Sequence, residues 1–265
     1  MPNKSINDDR GIGKFKHYSA MIYPKTRKWL SLLKTTLLHP QWLVFRNETR
    51  RFEHAAKYLN GYVLDIGCSD QKLKRYLKTD CHYFGLDYPQ TATPLYKTKP
   101  VLFADAQAIP FQDNSIDTAV MLEILEHIPD PQTALKEVYR VLKPDGRLVL
   151  SMPLLYPVHD SPYDFQRFTI HGLRVLARYC RFKIEDERYH GHPIATAGLL
   201  TNIALTKTVL SGFNQRHPAA LLILILPLLI LIINIFAWLC EKTCPDDTFM
   251  PYGHTLIMCK EPLNE

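Results

Sequence analysis

The sequence predicts an α/β protein built on a doubly wound, mostly parallel sheet, with a basic helical arm before it and a hydrophobic helical insertion before its last strand. Three observations predict this. Between residues 61 and 153, short apolar runs alternate with helical segments, and acidic residues close successive runs. A 22-residue block with no charged side chain, 219–240, then precedes one more strand-like run.

The 265 residues can bury a real core, and 46% hydrophobic and 22% charged residues describe a folded chain. The net charge of +6 is uneven. Residues 1–60 hold 12 Lys/Arg against 4 Asp/Glu, and the remainder holds 20 against 22. Such an arm suits anionic lipid headgroups or nucleic-acid phosphates, or is simply a solvated helical face. Within it, residues 26–39 place Trp29, Leu30, Leu33, Leu37 and Leu38 at helical spacing with Lys28 and Lys34 between them. That pattern predicts a basic amphipathic helix stopped by Pro40. Residues 47–60 predict a second helix closed by Gly61. The start of the chain has no apolar stretch of the kind a signal peptide needs. The six cysteines form no C-x-x-C pair and read as reduced thiols of a cytosolic protein.

The sheet begins at residues 62–67 (YVLDIG), a buried parallel strand ending in Asp-x-Gly. A helix over 70–78 follows, then a second strand over 82–88. Pro89, Pro94 and Pro100 leave no room for a full helix in the next crossover. Strands are predicted over 101–106, 116–122 and 147–152, with an amphipathic helix over 131–142 between the last two. Residues 253–260 supply the final strand.

Ligands of open α/β sheets bind at the carboxyl ends of the strands. Gly67 lets a ligand approach the backbone, and a helix starting near Ser69 would offer free N–H groups to an anion. Asp87 closes the second strand 20 residues after Gly67 and can accept both hydroxyls of a ribose. Asp105 ends the third and can accept from an adenine amino group, with the Ala106 N–H donating to the ring. The first loop is neither G-x-G-x-x-G nor a G-x-x-x-x-G-K-[ST] phosphate loop, which excludes those two nucleotide-binding classes.

The runs VLDIGCSD (63–70), GLDYP (85–89), ADAQAIPF (104–111) and the stretch 115–153, with LEHIPDP and VLKPDGRL inside it, resemble class I S-adenosylmethionine (SAM)-dependent methyltransferases of the methyltransferase type 11 kind. The resemblance covers about residues 60–192 and, more loosely, 245–261. It implies a seven-stranded Rossmann-like sheet and SAM as cofactor. It also implies that Asp65 and Gly67 line the methionine end, Asp87 takes the ribose, and Asp105 and Ala106 frame the adenine, with Ser69 a further cofactor-binding candidate. Glu123 falls near the transferred methyl. Where the family shows D-x-G-x-G-x-G, this chain has Ser69 and Gln71 in place of the second and third glycines.

Methyl transfer is mainly a matter of positioning, and a hydroxyl acceptor also needs a base or a metal. Glu123, Glu126 and His127 share one side if their stretch is helical. Similar E-x-x-E-H runs hold a divalent ion such as Mg in some ubiquinone-pathway and RNA 2′-O-methyltransferases, so these three are the candidate metal ligands. Glu123, His127 and His159 are the candidate catalytic residues, His159 as a base or a further ligand. Asp164 and Arg167 are expected to pair and brace the loop over 153–169, though Arg167 can also clamp an anionic substrate.

Block 219–240 is long enough to cross a hydrocarbon core of about 30 Å. The final strand must nevertheless return to the sheet. The block therefore either bends at Pro227 and lies in one leaflet, or pairs with a helix over 194–213 as a hairpin. The predicted organisation is a basic arm (1–60), a SAM-binding core (61–192), a membrane-associating insertion (193–244) and the last strand with its tail (245–265). The expected function is methylation of a lipid-linked, quinone or envelope-glycan precursor at the cytoplasmic side of a membrane. Two rivals are an RNA 2′-O-methyltransferase using a divalent metal and a non-catalytic membrane-bound scaffold. No aromatic-and-basic surface beyond residue 60 supports a nucleic-acid partner.

Overall fold

A computed structural model of the chain describes residues 32–93 and 99–261. These form two compact units. One comprises Asn47–Thr196 and the chain from Asp246 onward; the other comprises Ala197–Pro245 and the described residues up to Arg46.

The first unit is built on a seven-stranded sheet. Helix α1 (Glu48–Ala56) leads through Gly61, in the left-handed region at φ +57°, into β1 (Tyr62–Ile66). A 3-10 turn (Lys72–Tyr76) connects to β2 (His82–Asp87), a single helical turn (Pro89–Thr91) follows, and β3 is only Leu102–Phe103. Then come β4 (Ile116–Leu122), a 3-10 turn (Leu125–His127), α2 (Pro131–Val141), β5 (Leu142–Pro153), α3 (Ile170–Tyr179), β6 (Phe182–His190) and, from the far end of the chain, β7 (Gly253–Lys260). The strands lie in the order β3-β2-β1-β4-β5-β7-β6. All pairs are parallel except those of β7, which runs antiparallel to β5 and β6.

Alternation along the strands supplies both layers, because successive side chains point to opposite faces. Leu64, Ile66, Ala119, Met121, Leu148, Leu150, Leu256 and Met258 pack with Leu135 and Val138 of α2 and Leu173 and Ala177 of α3. Their neighbours Val63, Val120, Val149 and Ile257 pack with Ala55, Leu59 and Leu73 on the other face. Local signals start the helices. The Asp130 carboxylate accepts from the Thr133 N–H at 3.1 Å with Pro131 in the first turn of α2, and Thr169 Oγ1 accepts from the Gly172 N–H at 3.2 Å at the start of α3.

Four expectations are corrected. No helix spans 70–78: Ser69 (φ +44°) and Gln71 (φ +56°) are left-handed, and only the 3-10 turn forms. The third strand stops at Phe103, because the Asp105 carboxylate takes the Gln107 N–H at 2.8 Å and turns the chain away. The fifth strand starts earlier, at Leu142. The predicted helix over 26–39 is described only from Leu32 onward, and from Leu33 to His39 the chain runs in turns. The Leu37 and His39 carbonyls there accept from the Asn234 amide at 2.7 and 3.2 Å.

The second unit is helical. It contains most of α4 (Pro193–Gln215) and all of α5 (Leu226–Thr243), joined through a 3-10 turn (Pro218–Leu224). Block 219–240 is therefore broken just before Pro227, which sits in the first turn of α5. The two helices run antiparallel. Gly198 faces Ala237, Asn202 donates to Asn234 at 2.9 Å, and Val209 packs with Leu226 and Ile230. Leu226, Ile230, Asn234 and Ala237 make the buried face of α5, while Leu228, Ile232, Phe236 and Leu239 are exposed. Both helices are long and apolar enough to cross a membrane by length and composition.

Candidate active site

The carboxyl ends of β1, β4 and β5 open into a cavity of about 220 Å³, lined among others by Asp65, Gly67, Ser69, Arg51, Glu123 and Ser151. Each side chain arrives there for a local reason. Asp65 is the penultimate residue of β1. Gly67 (φ +72°) makes the turn out of that strand, and a β-carbon on it would collide with the Ile124 side chain. Ser151 and Thr255 are register partners on β5 and β7, so both reach the same rim.

Asp65 is buried and accepts from the neutral Tyr83 hydroxyl at 2.7 Å. Burial pushes its pKa up to about 7, and the charges of Asp87 and Asp70 add to the rise. Asp87 is also buried, and burial raises its pKa in the same direction. Unlike Asp65, however, it has one backbone donor for each oxygen. The Ser69 N–H donates to Oδ2 at 3.0 Å and the Tyr88 N–H to Oδ1 at 2.8 Å.

The structure brings Asp65, Gly67, Ser69 and Glu123 around one cavity and ties Asp87 to it through Ser69. Asp105 and Ala106 lie beyond β3 and do not line this cavity; the Asp105 carboxylate is bound to the Gln107 backbone and side-chain amide. The first loop leads into a 3-10 turn rather than an α-helix, and its Ser69 N–H is used on the Asp87 carboxylate.

The E-x-x-E-H stretch does not place its three groups on one side. Glu123 is left-handed (φ +55°), and the 3-10 turn spans only Leu125–His127. The Glu123 carboxylate accepts from Ser151 Oγ at 2.7 Å and lies 3.4 Å from Arg51 Nη1. Glu126 is fully buried, with His127 and His159 beside its carboxylate. The expected metal set of Glu123, Glu126 and His127 is thereby corrected: the Glu123 carboxylate is held by other partners. Of the candidate catalytic residues, Glu123 lines the cavity whereas His127 and His159 do not. Burial lowers the His127 pKa, and burial together with the Glu123 charge raises that of Glu126 well above the usual carboxylate range.

Asp164 and Arg167 pair as the sequence suggested, bracing the loop: Nη2 donates to Oδ2 at 2.8 Å and Nη1 to Oδ1. Arg51, Ser151 and Tyr83 were missed. Arg51 and Glu48 sit three residues apart on α1 and both line the cavity, a spacing that could have drawn attention to that helix.

Comparison with known proteins points to a methyltransferase domain. Residues 64–150 match a family model described as a methyltransferase domain. An uncharacterized methyltransferase of Mycobacterium tuberculosis is 31% identical over 149 residues, 50% of this chain and 54% of that one. The chain thus spans about half the length of the curated relatives it matches first. A ubiquinone/menaquinone biosynthesis C-methyltransferase of Neisseria meningitidis is 37% identical over 91 residues, 34% of this chain and 36% of the relative. Among solved structures, a SAM-dependent methyltransferase from Archaeoglobus fulgidus superposes with a TM-score of 0.51 at 17% identity, covering 86% of this chain and 98% of the other. That likeness speaks for the fold.

Proposed function

Because residues 64–150 match a methyltransferase domain, we propose that the chain is a class I SAM-dependent methyltransferase that methylates an apolar, lipid-linked acceptor, a quinone or envelope-glycan precursor, at the cytoplasmic side of a membrane. One observation carries the cofactor reading. Asp65 and Asp87 close neighbouring strands as buried carboxylates, Asp65 opening onto the cavity without a cation hydrogen-bonded to it and Asp87 tied to the cavity wall. The residues present fit SAM, because a cationic ligand would supply the counter-charge that Asp65 lacks.

When bound, SAM supplies a methyl group on a sulfonium, which an acceptor displaces in line with departure of the thioether. The chain's own part is positioning and charge. Asp65 would hold the cationic end, while the Asp87 oxygens, oriented by the Ser69 and Tyr88 N–H groups, would accept the ribose hydroxyls. Glu123, fixed by Ser151 Oγ, offers a carboxylate at the cavity rim to orient the acceptor and take its proton.

Two features support the apolar substrate and the location. The α4–α5 hairpin carries a row of exposed apolar side chains on a helix whose other face is already packed. One relative, matched over a third of this chain, is named for quinone biosynthesis. The described cysteines are all free thiols, in keeping with a reducing compartment. Detergent-solubilised full-length protein given SAM with a labelled methyl group and a total lipid extract is expected to label the organic phase. Label appearing only in added RNA, or nowhere, would overturn the substrate class.

A further inference from the structure

Outside the cavity, three potential ligands converge under the loop over 154–168. Glu126, His127 and His159 each offer one ligand atom, all within 4.8 Å of one another. His127 Nε2 lies 3.7 Å and His159 Nε2 4.0 Å from the same oxygen, Glu126 Oε1. Tetrahedral zinc holds its ligands about 2.0–2.2 Å away and hence about 3.3–3.5 Å from one another. The two separations from Glu126 are slightly wider than that and the third lies within 4.8 Å, so the three groups would draw together on binding.

Two further observations point to a cation. Glu126 is completely buried, and neither of its carboxylate oxygens has a hydrogen-bond partner. A buried carboxylate left so is costly unless something cationic takes it up. Both imidazoles are also oriented for ligation. His127 Nδ1 lies 2.5 Å from the Tyr163 carbonyl. His159 Nδ1 lies 3.2 Å from Asp164 Oδ2 and 3.3 Å from the Pro157 carbonyl, with Arg167 Nη2 slightly farther at 3.4 Å. The Tyr163 and Pro157 carbonyls and the Asp164 carboxylate are acceptors that favour the proton on each Nδ1, the more distant Arg167 donor at His159 notwithstanding. That tautomer leaves each Nε2 lone pair for a ligand beside Glu126. A carboxylate or carbonyl behind a ligating histidine is the usual outer support of a protein metal site. Arg167 in turn clamps Asp164.

We propose that Glu126, His127 and His159 form a binding site for a first-row divalent metal ion, zinc foremost. Two imidazoles and one carboxylate suit zinc, whereas magnesium takes oxygen ligands almost exclusively. Three protein ligands leave a fourth position for water or for an oxygen of another molecule, the arrangement of a reactive rather than a purely structural site. The site stands independently of the methyl-transfer reading, since it shares no ligand with the cavity.

The test is calorimetric titration of zinc chloride into metal-stripped, detergent-solubilised full-length protein, with metal content measured after dialysis. One equivalent is expected to bind. H159Q and H127Q should each weaken binding at least tenfold, D164N about 10- to 100-fold through the outer support, and E123Q should leave it unchanged. Cobalt in place of zinc should give the visible absorption of a low-symmetry, four-coordinate ion in the wild type, a readout that needs no variant to fold. Absence of stoichiometric metal in the wild type would overturn the proposal, as would loss of binding in E123Q with retention in H159Q.

Discussion

The backbone N–H of Ser69 donates to the Asp87 carboxylate across 3.0 Å, joining the loop after β1 to the end of β2. This bond separates two acids that look alike in sequence. Asp87 has a backbone donor on each oxygen, while Asp65 has only the neutral Tyr83 hydroxyl among the hydrogen bonds described for it. One carboxylate is held in orientation by two backbone donors; the other has no cation among its described hydrogen-bond partners.

Asp65 should therefore make the unliganded protein pH-sensitive. Its folded pKa is raised to about 7, whereas the unfolded value stays near 3.9. Between these values the folded state keeps a proton that the unfolded state has lost. Its stabilising contribution is thus present at low pH and disappears as pH rises to about 7, on the order of 4 kcal/mol in all. Urea unfolding of the wild type and of Asp65→Asn should show their stability difference changing between pH 5 and 7 and levelling above it. A difference constant with pH would refute this.

Arg167→Ala leaves the Asp164 carboxylate, 2% exposed, without its bidentate partner. Removing one member of a buried pair typically costs about 3–5 kcal/mol. Since Asp164 keeps the His159 N–H at 2.8 Å, a loss of about 2–3 kcal/mol is expected. Thermal denaturation and faster proteolysis within 154–168 should report it; a change below about 0.5 kcal/mol would mean that the pair braces nothing.

Exposed Phe236 and Trp238 lie on α5. If α5 contacts lipid, replacing both with Asp should greatly weaken association with phosphatidylglycerol-containing vesicles, because charged side chains are unfavourable in hydrocarbon. Vesicle flotation of the full chain measures this. Equal flotation of wild type and variant would sink the membrane assignment.

Asn234 donates to two backbone carbonyls and accepts from Asn202 in the helical unit. Asn234→Ala should destabilise that unit by about 2–3 kcal/mol, through buried carbonyls left without a donor. Hydrogen exchange in α4 and α5 should accelerate while β1 and β4 stay protected; uniform protection would contradict it.

Where a strand was a short, largely apolar run between turn signals, the sequence could be read almost residue by residue, as for 62–66, 116–122 and 253–260. Asp65, Gly67 and Asp87 followed because strand ends are fixed by the same pattern. Reading failed where one backbone angle decides direction. Glu123 sits at φ +55° and turns its carboxylate to Ser151, which no spacing rule for E-x-x-E-H reveals. Ser69 and Gln71, both left-handed, prevented the helix that periodicity suggested over 70–78. Arg51 stayed invisible because it reaches the cavity from a helix preceding the sheet, through tertiary packing alone. His159 joined Glu126 only once the loop was folded over it.

Calorimetric titration of SAM and of its demethylated product into the full-length protein and into Asp87→Ala tests the central claim most directly. The account predicts one site in the wild type and about 100-fold weaker binding in the variant, two charge-assisted hydrogen bonds to the ribose being lost. No binding by the wild type, or equal affinity in Asp87→Ala, would contradict it.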